Sequence, residues 1–270
     1  MNFIQAIENA WKVNDSLVCV GLDSDVEKIP GVLRNSRNPI FEFNRAVVDA
    51  TAQFVCAYKP QIAYYSAAGA EDDLKMTIEY IHQRHPGIPV ILDAKRGDIG
   101  ATAQMYAREV FDRFGADAVT VNPYMGSDTL EPFLSRDQKG VIILCRTSNP
   151  GARDVQDLIS NGKKLYQLIA ERARDLWNRN NNVLLVVGAT YPEELREIRT
   201  IVGDMPFLVP GIGAQGGDVK AAVMNGKTAG GTGMIINSSR GIIYAGRGDD
   251  FAEAAGKAAL ELRDEINKYR

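Results

Sequence analysis

Histidine is almost missing from this chain: His82 and His85 are the only two in 270 residues, and both stand just ahead of Pro86. Without a cluster of histidine, cysteine and carboxylate there is no ligand set for a transition metal. The pair is better placed to face a helix C-terminal dipole at the surface. Cysteine is equally sparse. Cys19, Cys56 and Cys145 are odd in number and each lies in an apolar run, which suits buried thiols in a reducing compartment and excludes a disulfide framework. No basic tract or aromatic-interleaved patch occurs and the formal net charge is -3, so nucleic acid is not an expected partner. No apolar run reaches membrane-spanning length. The first residues carry Glu8, Lys12 and Asp15 in an amphipathic pattern where a secretory leader would need an unbroken apolar core. A cytoplasmic protein without membrane association is expected. Linkers, low-complexity stretches and charge blocks are also absent, so residues 1–270 are expected to form a single domain. Its 45% hydrophobic content is enough for one large core.

What is present is a repeat of short β-rich runs. They fall at Leu17–Leu22, Phe54–Lys59, Val90–Ala94, Ala118–Asn122, Val141–Arg146, Val183–Gly188, Pro206–Pro210 and Met234–Asn237. Longer segments with helical spacing or helix-former content lie between them: Phe41–Gln53, Leu74–His82, Thr102–Phe114, Lys163–Trp177, Glu193–Val202 and Phe251–Tyr269. Strict alternation of this kind implies a parallel sheet. An open doubly wound sheet accommodates the same order, but eight units in about 250 residues match a (β/α)₈ TIM barrel best. In such a barrel the chemistry stands at the C-terminal ends of the strands. Asp23, Lys59, Asp93, Lys95, Asn122, Ser148 and Arg240 all fall there.

The densest charge lies in Val90-Ile-Leu-Asp93-Ala-Lys95-Arg-Gly-Asp98-Ile99-Gly-Ala-Thr102. A strand as apolar as its first residues is buried on both faces, so charges at its end need partners or a task. Alternation puts Asp93 and Lys95 on one face, with Asp98 beyond the strand at the start of the next helix. Lys59, alone, reads as a snorkelling lysine. Beside Asp93, Lys95 and Asp98 it completes an alternating array in which every group stays charged in a dry site. A purely structural ion-pair network is the plainer alternative.

Two motifs mislead when read alone. Gly211, Gly213 and Gly216 spell G-x-G-x-x-G directly after a strand, but Thr232 to Ser239 offers no acidic residue for a ribose. In a barrel, the loops after the seventh and eighth strands commonly form a phosphate site instead, and Arg240 adds a bidentate donor there. Gly226-Lys227-Thr228 resembles the end of a P-loop, yet Ala221 stands where the first glycine belongs. Lys227 is then expected to be a solvated loop charge.

Taken together, Asp93-Ala-Lys95-Arg-Gly-Asp98-Ile99 with Thr102, Tyr-Lys59-Pro-Gln, Val-Gly-Leu-Asp23, and Pro210-Gly-Ile-Gly-Ala-Gln215 with Arg240 resemble the orotidine 5′-phosphate decarboxylase family. The resemblance runs from the first strand to the eighth. Cys-Arg-Thr-Ser148-Asn-Pro-Gly and the chain length are most similar to the longer bacterial subgroup, type 2. The D-x-K-x-x-D core by itself is shared with related sugar-phosphate decarboxylases. The resemblance implies decarboxylation of orotidine 5′-phosphate to UMP without a cofactor or metal, with Lys95 protonating C6 and Lys59, Asp93 and Asp98 completing the charged array. It further implies that Asp23 holds the ribose, Ser148 reads the pyrimidine edge, Ile99 and Pro210 line its apolar side, and Gln215 and Arg240 grip the phosphate. Asp98 and Thr102 would reach into a neighbouring subunit, making the active unit a homodimer.

Three other readings stay open on the residues alone. A keto-sugar-phosphate decarboxylase or epimerase would stabilise an enediolate on a divalent metal. A Schiff-base aldolase would use Lys59 or Lys95 as its amine. A phosphate-ligand binding module would retain the site without turnover.

Overall fold

Eight parallel strands make one sheet, and they are built from the apolar runs of the sequence. The computed structural model describes residues 1–212 and 217–270. The strands are β1 Val18–Leu22, β2 Ala57–Pro60, β3 Ile91–Arg96, β4 Ala118–Val121, β5 Gly140–Arg146, β6 Val183–Val187, β7 Phe207–Val209 and β8 Met234–Ser238. Neighbours run β2-β1-β8-β7-β6-β5-β4-β3. Parallel bridges Tyr58↔Val90 and Gln61↔Asp93 then join β2 to β3, so the sheet closes on itself as a (β/α)₈ barrel. β1, β2, β4, β6, β7 and β8 are buried at every position, as strands packed inside by side chains and outside by helices must be.

The outer helices are amphipathic for the usual reason. In Pro192–Val202, Leu195, Ile198 and Val202 are buried along one stripe, Glu193 and Glu194 occupy the first turn, and Arg199 the last, so both packing and the dipole favour the helix. Helices Pro39–Thr51, Glu71–Arg84, Ser127–Leu134, Val219–Gly226 and Phe251–Asn267 also follow or precede strands. Helix Gly100–Arg108 continues through wider turns to Arg113. None of the described helices is long and apolar enough to cross a membrane. His82 and His85 end their helix as expected, and His82 Nε2 lies 2.7 Å from Asp117 Oδ2.

Two local expectations change. The helix expected from Lys163 begins at Leu165, because Lys163–Lys164 pairs antiparallel with Ile159–Ser160. Asn161 and Gly162 turn that hairpin at φ 52° and 76°, the left-handed pair that Asn-Gly favours. Lys227 is not a solvated charge: its Nζ donates to the Tyr269 carbonyl at 2.7 Å and ties down the C-terminal helix.

Candidate active site

The site is built on an irregularity in β3. Its ladder with β4 pairs Ile91 with Ala118 and Leu92 with Val119, then jumps to Arg96 with Val121, so Asp93, Ala94 and Lys95 face Thr120 alone. Lys95 adopts φ 46°, a left-handed conformation that costs a non-glycine residue about 1–2 kcal/mol. Simple alternation therefore ends at Asp93. The bulge, not the pleat, returns Lys95 Nζ to within 2.7 Å of Asp93 Oδ1. From β2, Lys59 Nζ reaches Asp93 Oδ2 at 3.0 Å and lies 3.9 Å from Asp23 Oδ1 beyond β1. Asp93 thus bridges two ammonium groups.

Burial decides how strongly these charges act. Lys59 is 4% exposed and Asp93 7%, while the Lys95 side chain is 46% exposed. Burial by itself would raise the Asp93 pKa, but the two lysine charges and the hydrogen bonds from Lys95 and Thr120 outweigh it and hold the carboxyl well below the usual range. For Lys59, burial works against the charge and Asp93 and Asp23 more than offset it, so its pKa is raised. Because Asp93 is depressed, its contribution to stability is complete above the unfolded value of about 4 and is lost only as pH falls below it toward the folded one.

These groups form one wall of a cleft of about 570 Å³ at the C-terminal ends of the strands. Asp23, Lys59, Asp93, Lys95, Ser148, Pro210 and Arg240 all line it. Ser148 fits because β6 is followed by Gly188, where a Cβ would come within 2.9 Å of the Ser148 Cβ. Arg240 is exposed, just after β8. Asp98, Ile99 and Thr102 do not line this cleft. Asp98 Oδ1 accepts the Ile99 N–H at 2.8 Å, Ile99 is 61% exposed, and Thr102 is exposed. Gln215 lies outside the described residues, as do Gly213 and Gly216. At the base of that loop Gly217 donates to the Gly211 carbonyl at 3.1 Å.

Among the lining residues that sequence reading did not assign to the site are Thr120, Asn237 and Gln156. Thr120 and Asn237 had a legible signal, a polar side chain inside an otherwise apolar strand. Gln156 had none, since only the fold brings it back to Thr147. Its Oε1 accepts the Thr147 N–H at 2.9 Å and its Nε2 donates to Thr147 Oγ1 at 2.8 Å.

That loop is anchored by Arg146, a fully buried guanidinium at the end of β5. It donates from Nε and Nη2 to Glu194 at 2.5 and 3.1 Å and lies between the rings of Tyr166 and Tyr191. Removing Glu194 leaves the guanidinium with Asp157 Oδ1 at 3.4 Å and Gln156 Oε1 at 3.4 Å. Glu194→Ala is expected to cost about 3 kcal/mol, the lower end for breaking a buried pair. Urea unfolding measures it. A loss below about 1 kcal/mol, the surface-pair range, would contradict this anchoring role.

Residues 16–256 match the family described as Orotidine 5′-phosphate decarboxylase / HUMPS family. The chain belongs to this family. An orotidine 5′-phosphate decarboxylase of Ralstonia pickettii (strain 12J) is 58% identical over 270 residues, covering all of both chains. One of Cellvibrio japonicus (strain Ueda107) is 60% identical over 272 residues, again covering both completely. The structure of Leishmania donovani OMP decarboxylase superposes with a TM-score of 0.85 at 39% identity, over 100% of this chain and 98% of that one. Membership explains why the glycine motif after β7 lacks a ribose-binding acid: the fold is a closed barrel, not a dinucleotide-binding sheet.

Proposed function

We propose that this chain decarboxylates orotidine 5′-phosphate to UMP in de novo pyrimidine synthesis, using only its own side chains. The observation that carries the reading is Asp93 bridging Lys59 and Lys95 at the wall of the cleft, in a chain whose full-length relatives bear that enzyme's name. In this reading Arg240 and Gln215 hold the phosphate, Asp23 the ribose, Ser148 the pyrimidine edge, and Pro210 its apolar side. The C6 carboxylate then points toward Asp93.

Breaking the bond from C6 to the carboxylate leaves its electron pair on C6 and releases CO₂. The Lys95 ammonium stabilises that pair by a fixed charge and then gives C6 a proton, leaving a neutral amine that the solvent reprotonates. Its 46% side-chain exposure supports the last step. Asp93 aims both lysines and helps to keep the buried Lys59 charged. It also repels the substrate carboxylate, by roughly 4 kcal/mol at 4 Å and an effective dielectric of 20, and loss of CO₂ relieves this. Contacts remote from C6 offset that repulsion on binding.

The active unit in this reading is a homodimer, with Asp98 and Thr102 serving the neighbouring cleft; Ile99, expected beside Pro210 at the pyrimidine, stands off its own cleft and is reassigned to the neighbouring one with them. Their position outside their own cleft supports it, as does the exposed apolar surface of Ile99, Tyr124 and Met125 at the same end of the barrel. The buried free thiols of Cys19, Cys56 and Cys145 support a cytoplasmic location, and one barrel the single-domain reading.

The test is the absorbance change as orotidine 5′-phosphate becomes UMP, run with and without a chelator. Full turnover in both is expected. Loss of activity in chelator would favour metal-dependent enediolate chemistry on a keto-sugar phosphate, and tight UMP binding without turnover would favour a binding module. Arg240→Ala is expected to lower kcat/KM by about 10²–10⁴-fold, two charge-assisted hydrogen bonds at roughly 1.5–3 kcal/mol each. An unchanged kcat/KM would remove Arg240 from the phosphate site.

A further inference from the structure

We propose that Thr120 is a positioning residue for this decarboxylation, its hydroxyl fixing both the bulge that aims Lys95 and the carboxylate that Lys95 meets. The inference rests on the reading of Lys95 as proton donor and deepens it. Thr120 is 1% exposed and sits in β4, where the ladder offers it three residues of β3 at once. Its Oγ1 accepts the Ala94 N–H at 3.0 Å and the Lys95 N–H at 2.9 Å, and donates to Asp93 Oδ1 at 2.8 Å. One hydroxyl therefore satisfies two backbone donors that the bulge removes from the ladder, and spends its proton on the carboxylate between the lysines. The left-handed Lys95 backbone would otherwise lack a reason to persist, since such a conformation holds only where its surroundings over-determine it. Without that hydroxyl, two part-buried N–H groups lose their acceptor and β3 gains by sliding toward regular pairing. The Lys95 amine moves with it.

Thr120→Val keeps the branched shape and removes the hydroxyl; Thr120→Ser restores it. The valine variant is expected to lower kcat about 10²-fold, the scale for a displacement near 1 Å. The Kd for UMP, which carries no C6 carboxylate, is expected to stay within about threefold, because Arg240, Pro210 and Asp23 lie on other strands' loops. The serine variant is expected to recover kcat to within about threefold of the parent. A merely structural residue would lower thermal stability and leave the kcat of the folded fraction intact. If the valine protein does not fold, Thr120→Ala beside Thr120→Ser gives the same comparison.

A folded valine or alanine variant with native kcat would overturn the inference. So would a loss lying wholly in UMP affinity, or a serine variant as slow as valine. A parent protein that turns over no orotidine 5′-phosphate would sink the decarboxylase reading and this inference with it. An active parent beside an equally active hydroxyl-free variant would sink this inference alone.

Discussion

Lys95→Ala is expected to lower kcat/KM by at least about 10⁴-fold, because in the proposed mechanism it removes a general acid worth about 10²–10⁴ and a fixed charge at the developing carbanion worth about 10²–10³. Binding of UMP should survive, since the proposed ribose and phosphate residues, Asp23 and Arg240, line other parts of the cleft. Stability should change little: the Lys95 side chain is 46% exposed, and Asp93 keeps Lys59 at 3.0 Å and Thr120 at 2.8 Å. The split matters. A variant that loses both turnover and UMP affinity in proportion would make Lys95 a binding residue only. Steady-state kinetics with calorimetric titration of UMP separates the two.

The second large effect concerns two inactive proteins that become active when mixed. If Asp98 serves the neighbouring cleft, a Lys95→Ala subunit paired with an Asp98→Ala subunit has one cleft with every charged group intact and one with neither. Random exchange of subunits in a twofold-symmetric dimer then restores about a quarter of the sites. If Asp98 serves its own cleft, each site of the mixed dimer carries one lesion and activity stays at background. The placement of Asp98, turned to the Ile99 N–H and off the cleft wall, is the reason to expect recovery. Size-exclusion chromatography of each variant first establishes that the dimer exists to be exchanged.

The barrel itself was legible because its cause is periodic. Runs such as Val183–Val187 and Ala118–Val121 are too apolar and too short to be anything but buried strands, and their spacing leaves room for one helix each. The lysine and aspartate pair at β3 was legible for the opposite reason, as charge where the periodicity forbids it. What failed was the link between them. Alternation assigned Asp93 and Lys95 to one face, and they do meet, but through a bulge whose existence depends on Thr120 of a different strand. Periodicity in one segment carries no information about a hydroxyl 25 residues away in sequence. The Ile159–Lys164 hairpin was missed although Asn161-Gly162 announced it, because Lys163 and Lys164 also fit the start of the following helix. Arg146 and Gln156 show the same limit. Neither the burial of a guanidinium between two tyrosines nor a glutamine stapling its own loop follows from spacing.

The central claim is that the Lys95 ammonium stands at C6 when the bond to the carboxylate breaks. A crystal structure with a non-reactive UMP analogue carrying an anionic group at C6 tests it most directly. The account predicts Lys95 Nζ about 3 Å from that group, within hydrogen-bond reach of the reacting position, with Asp93 between it and Lys59. An analogue bound in the cleft with Lys95 turned to bulk water, and its C6 facing some other donor, would contradict it.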